Sequence, residues 1–116
     1  MERLGGITMS KLESNFQAKL IKRIKKEYPD CMVLKNDPTY IQGVPDLLIL
    51  NGKHWCALEC KRSAKASHRP NQDYYVNKMN KMSYASFVYP ENEEEVMNEV
   101  QKTLRAGGTT RSVQCK

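Results

Sequence analysis

The chain has 116 residues, 40% of them hydrophobic and 28% charged, which suits one domain with a single core and argues against intrinsic disorder. No apolar run nears the roughly 20 residues that span a bilayer. The start MERLGGITMSKLE lacks the apolar core of an export signal, so the expectation is a cytoplasmic protein (host cytoplasm if phage-encoded) that meets no membrane. Nineteen Lys and Arg against thirteen Asp and Glu leave a formal charge of +6, which fits a polyanionic partner or merely a solvated basic surface.

Residues 10–28 read as a helix. Ser10 and Glu13 have the spacing of a capping box. Leu20, Ile21 and Ile24, widened by Phe16, form an apolar stripe. Lys19, Lys22, Lys25 and Lys26 fall on the other side, and Pro29-Asp30 ends the helix. Residues 31–36 read as a short strand, and Asp37-Pro38 opens a loop that runs to Gly43. The apolar run 46–50 (DLLIL) is a buried strand. Asn51-Gly52 signals a hairpin into the strand 53–61 (KHWCALECK).

A polar, basic loop spans 62–69. Pro70 opens a helix over 70–82, with Gln72, Tyr75, Met79 and Met82 on its inward stripe. Residues 84–89 (YASFVY) are another strand. A third helix follows, with Asn92 and Glu95 spaced as a second capping box and Val96, Met97, Val100 and Leu104 as its apolar face; Gly107-Gly108 ends it. The order is α-β-β-β-α-β-α. It implies one α/β domain over 10–105, with flexible termini at 1–9 and 106–116. The cysteines at 31, 56, 60 and 115 show no zinc spacing, and Cys56 and Cys60 on one strand stand too far apart to bridge, so they read as reduced packing residues.

Residues two apart on a strand share a face. Trp55, Ala57, Glu59 and Lys61 therefore point one way, and Cys56, Leu58 and Cys60 the other. The hairpin makes the strands antiparallel, so Asp46 at the start of one lies beside Glu59 and Lys61 at the end of the other. Two adjacent carboxylates need a compensating cation. Their hard oxygens suit Mg²⁺ or Mn²⁺, with the Cys60 carbonyl as a further oxygen. The bland reading is a surface salt bridge at a hairpin.

Gly43-Val44-Pro45-Asp46 followed by Glu59-Cys60-Lys61 resembles the signature of the PD-(D/E)XK nucleases. Within that superfamily the chain resembles stand-alone phage VRR-NUC (virus-type replication-repair nuclease) domains over about residues 10–105. The resemblance implies a restriction-endonuclease-like core, α-β-β-β-α-β plus a C-terminal helix, whose central mixed sheet is flanked by helices. It also implies Asp46 and Glu59 as metal ligands and Lys61 as the catalytic lysine. Glu13 faces inward on the first helix and would assist the metal, or else only completes the capping box; Gln17 is its weaker companion one turn on. Gln72 would sit beside the active site, or else serve only the helix start. His54 and His68 are weak candidates, His68 as a phosphate contact beside Lys65 and Arg69.

The activity expected from the resemblance is Mg²⁺-dependent endonuclease cleavage of DNA. Branched DNA, a Holliday junction first, is the expected substrate, read through shape and phosphates rather than bases. A homodimer would supply the two cuts that such a junction needs, with Leu12, Tyr40 and Ile41 as interface candidates. The alternatives are a nickase, a flap or restriction-type nuclease, or a binding module that keeps the fold without cleavage.

Overall fold

A computed structural model describes residues 10–37 and 39–109, the last four of these in backbone only. Helix α1 spans Lys11–Glu27. Strands follow at Met32–Lys35 (β1), Leu47–Asn51 (β2) and His54–Cys60 (β3). Helix α2 is Pro70–Met82, strand β4 is Tyr84–Val88, and a 3-10 turn over Pro90–Asn92 leads into α3, Glu93–Thr109. The four strands form one mixed sheet in the order β1-β2-β3-β4. β1 with β2 and β2 with β3 are antiparallel, while β3 and β4 are parallel. A parallel neighbour requires a crossover, and α2 supplies it. The protein is thus α/β, in the element order that the sequence predicts.

Alternation along β3 sorts the core into two layers. Cys56, Leu58 and Cys60 join Leu47, Ile49 and Val88 under α1 and α3, where they meet Leu20, Ile24, Val100 and Leu104. Ala57 faces the other way, against Val76 of α2, with Trp55, Met79 and Phe87 at its margin. Each large apolar side chain fully buried in this way stabilises the fold by roughly 1.5–3 kcal/mol. The hairpin is closed by the Asn51–His54 pair. Its two-residue turn carries Gly52 at φ +63°, in the left-handed region where a glycine is unstrained.

Ser10 caps α1 as expected, its Oγ accepting the Glu13 N–H at 3.1 Å. At the other end Tyr28 N–H donates to the Ile24 carbonyl at 2.9 Å, and Pro29 has no N–H to carry the helix on. Arg23 clamps α1 to the start of α3, donating to Glu93 at 2.7 Å, to Glu94 at 2.8 Å and to Glu27 at 2.8 Å. One member of the basic helix is therefore a structural cation.

Three local expectations change. Asn92 does not cap α3 with Glu95; its Oδ1 accepts the Tyr89 N–H at 2.8 Å and so closes the preceding turn. Helix α3 continues to Thr109 instead of stopping at Gly107-Gly108; a glycine costs a helix about 1 kcal/mol relative to alanine but does not forbid it. On α2 the buried residue is Val76, whereas Met82 at the helix end is exposed. Of the expected flexible termini at 1–9 and 106–116, residues 106–109 belong to α3, and the rest, with Cys115, lie outside the described residues. The three other cysteines are unpaired, Cys56 and Cys60 in the core and Cys31 half-buried. Among the described residues no helix is long and apolar enough to cross a membrane.

Candidate active site

The start of β2 and the ends of β1, β3 and β4 meet at one rim of the sheet. Beyond β1, Asn36 N–H donates to the Asp46 carbonyl at 2.8 Å and the Asn36 amide to the Pro45 carbonyl at 2.6 Å. These bonds fix the Pro45-Asp46 backbone before β2 begins. On the far side, Lys61 N–H donates to the Val88 carbonyl at 2.8 Å, which holds the chain leaving β3 against β4. Asp46, Glu59 and Lys61 thus come together, as the antiparallel hairpin predicts.

Their contacts run as a chain of hydrogen bonds. Asp46 N–H donates to Glu59 Oε1 at 3.1 Å, and Cys60 N–H donates to Asp46 Oδ2 at 3.0 Å. Gln72, from the first turn of α2, bridges the rest. Its Nε2 donates to Glu59 Oε2 at 3.0 Å, while its Oε1 accepts Lys61 Nζ at 2.9 Å and Arg69 N–H at 3.0 Å. The amide has only one workable orientation. Turned over, its NH₂ would face an ammonium and a backbone N–H, and its oxygen would face a carboxylate. Lys61 therefore meets Glu59 through Gln72, and no ion pair joins Lys61 to Asp46 or Glu59 among the described residues.

The three charged groups are sunk into the protein. Glu59 is 5% exposed, Lys61 7%, and Asp46 is half-buried. Burial pushes the Glu59 carboxyl up to about 8, and the neighbouring charge of Asp46 adds to the push. Burial likewise raises Asp46 to about 6, against the hydrogen bond from Cys60. The Cys60 thiol is buried in the core and its ionisation is suppressed, first by burial and then by both carboxylates. Only its backbone faces the site. In a strand the N–H and C=O of one residue point to the same side, and the Cys60 N–H is on Asp46, so its carbonyl is directed there as well.

These groups open into a cleft of about 420 Å³ whose other walls include Glu13, Gln17, Lys35, Arg62 and Arg69. The capping bond at Ser10 uses the Glu13 backbone, and the Glu13 side chain lines the cleft near enough for its charge to raise Asp46. Glu13 does not complete a three-carboxylate cluster. Among the described residues no three His, Cys, Asp or Glu side chains stand close enough to hold a metal between them. The donor set is two carboxylates and one carbonyl. That set fits Mg²⁺, which keeps several waters and needs only one or two protein carboxylates, better than it fits an all-protein cage.

Lys35 and Asn36 give no local sequence signal of a role here, and Arg62 gives only its place in the basic loop. They reach the cleft because β1 and β3 both end at it. His68 is not among the residues that line the cleft; its ring stacks on Phe87 at 3.8 Å and meets Asp73 at 3.1 Å. His54 pairs with Asn51 at the hairpin, away from the cleft. No protein-family model, curated protein or solved structure matches this chain.

Proposed function

We propose that the chain is a Mg²⁺-dependent endodeoxyribonuclease of the PD-(D/E)XK superfamily, akin to the VRR-NUC domains and with their restriction-endonuclease-like core. The observation that carries this reading is the bonded series Asp46, Glu59, Gln72, Lys61 at the rim of the mixed sheet, inside a cleft walled by Lys35, Arg62 and Arg69. Two carboxylates this close and this buried repel each other, and a divalent cation is the partner that relieves them. Asp46 and Glu59, with the Cys60 carbonyl, would hold Mg²⁺ or Mn²⁺, and Glu13 would reach it through water. The metal, when bound, supplies a water of lowered pKa and charge compensation for the phosphate.

The side chains do the rest. Gln72 receives the Lys61 ammonium on its oxygen and fixes its direction. Held there, Lys61 places a proton donor and a positive charge beside the phosphate and orients the attacking water. Gln72 also holds Glu59 in the rotamer that turns it toward Asp46. The cations on the cleft wall attract the backbone of DNA without reading bases. Branched DNA, a Holliday junction first, is the substrate favoured by that mode, and a homodimer would provide two opposed cuts.

A plasmid-nicking assay with and without Mg²⁺, extended to labelled four-way, flap, single-stranded and linear DNA, tests the proposal. Nicking that depends on Mg²⁺ and is lost in Asp46→Asn is the expected result. Full activity in excess EDTA overturns the metal site, and binding without cleavage of any substrate moves the chain to a non-catalytic module of this fold.

A further inference from the structure

Gln17 stands where a core residue belongs. It precedes Leu20 and Ile24 by three and seven residues on the inward stripe of α1, and it is 6% exposed. Both neighbours on that stripe are apolar and fully buried. Yet the Gln17 amide has no hydrogen-bond partner among the described residues. A buried amide without a partner lowers stability, and a methionine or leucine there would avoid the loss. The fold gives no reason for the polar group, but the cleft does: Gln17 lines it together with Asp46, Glu59 and Lys61.

We infer that the Gln17 amide is a substrate-binding group whose Nε2–H donates to a non-bridging oxygen of a phosphodiester in the cleft. The identity of that anion rests on the nuclease reading. An unpaired N–H needs an acceptor. Of the acceptors built into the cleft, Asp46 and Glu59 receive the Cys60 N–H, the Asp46 N–H and Gln72, and none of the carboxylates, Glu13 included, is a partner of Gln17 among the described residues. Arg62, Arg69 and Lys35 on the same walls favour an anion as the occupant. A neutral amide also suits this position better than a cation. A lysine at 17 would pair with the acidic groups and compete with a metal there, whereas an amide adds a donor and leaves their charge unchanged.

The test compares wild type with Gln17→Met, which keeps length and volume and removes the N–H. Three quantities are read: the thermal midpoint without DNA, the Kd for a fluorescent four-way junction in Ca²⁺, and kcat and KM for cleavage in Mg²⁺. The expected result is a midpoint equal to or above that of wild type, with Kd and KM raised about tenfold. An unchanged Kd overturns the assignment, and so does a lowered midpoint, which would mean that the amide serves the fold. Asp46→Asn is measured in the same assays. If it cuts like wild type while Gln17→Met binds weakly, the catalytic reading falls and the Gln17 assignment stands. If wild type binds no junction or duplex, both fall.

Discussion

At the residue scale the central group is Glu59, which meets opposing demands. Two N–H donors favour its ionised form, while burial and Asp46 drive it up to about 8. The consequence for stability has a definite sign. Carboxyls that titrate near 4 in the unfolded chain and at about 6 and 8 in the folded protein bind more protons when folded. Their contribution to metal-free stability is therefore full below about pH 4 and is lost as pH rises through both folded values. Thermal melts in EDTA should drop between pH 5 and 9, and Mg²⁺ should restore the midpoint most at the alkaline end. A flat profile in EDTA would contradict the electrostatics assigned here. On the proposed mechanism Asp46→Asn, Glu59→Gln and Lys61→Ala should each lower cleavage at least about 100-fold with a folded circular-dichroism spectrum, since the first two take charge from the metal site and the third takes the cation from beside the phosphate. Near-normal cutting by Lys61→Ala would refute its role. The meeting of Asp46, Glu59 and Lys61 was legible because a period of two and a hairpin turn are both local signals. The part played by Gln72 was legible only as an inward direction. Its bond to the Arg69 N–H is local, the helix-start contact that the sequence allowed, but its bonds to Lys61 and Glu59 depend on how α2 crosses the end of β3, and no local pattern encodes that.

At the element scale the loop before β2 is fastened to α2, and this joins the two halves of the site. Gly43 adopts φ +95°, and a Cβ there would come within 2.7–2.9 Å of Asn71, including its backbone carbon. The Asn71 amide in turn donates to the Gln42 carbonyl at 3.1 Å. Gly43→Ala therefore meets both backbone strain, on the order of 1–2 kcal/mol, and a contact that only a shift of the loop or of α2 can relieve. The next residue of α2 is Gln72, so the shift reaches Lys61 and Glu59. We expect Gly43→Ala to lower the thermal midpoint by roughly 4–8 °C and to reduce cleavage about tenfold or more, a loss of about 1.4 kcal/mol in transition-state stabilisation. An unchanged midpoint and rate would show that the loop yields without moving the helix. The sequence marked Gly43 as the end of a loop; its contact with Asn71, 28 positions away in the chain, depends on tertiary placement. The same limit applies to Asn92, which has the cap spacing but whose side chain is taken by Tyr89, and to Met82, which has the right period on α2 yet is exposed at the end of the helix. The element order itself was readable because the helices carry apolar stripes and the strands short apolar stretches between Pro, Gly or Asn signals.

At the scale of the whole molecule, charge and exposed apolar surface make separate predictions. Binding to DNA should weaken steeply with salt as cations displace counterions from phosphates. Arg62→Glu with Arg69→Glu, on the cleft wall, should weaken it more than Lys102→Glu, whose side chain already pairs with Glu99 on α3; equal losses measured by anisotropy would place the DNA elsewhere. The apolar surface bears on assembly. β1 is an edge strand, and its pairing sets Met32 opposite Leu50 and Leu34 opposite Leu48. Among the described residues helix α2 packs mainly on β3 and β4, and Met32 and Leu34 on this face stay exposed. Met32 is 57% exposed and Tyr40, in the loop that follows β1, 85%; Leu12, Leu34 and Ile41 are exposed as well. Leu12, Tyr40 and Ile41 are the interface candidates of the sequence, and the sheet edge adds Met32 and Leu34, whose alternation alone gave no hint of an uncovered face. A two-fold pairing of copies through β1 would cover Met32, Leu34 and the strand's backbone edge together. Sedimentation at micromolar concentration should show a dimer, and Met32→Glu with Leu34→Glu should dissociate it while sparing single-strand nicking. The same variant should lose paired cuts on a four-way junction, because two opposed cuts need two sites held together. A wild-type monomer that still makes paired cuts would sink the dimer, and a dimer indifferent to the two glutamates would move its interface away from β1.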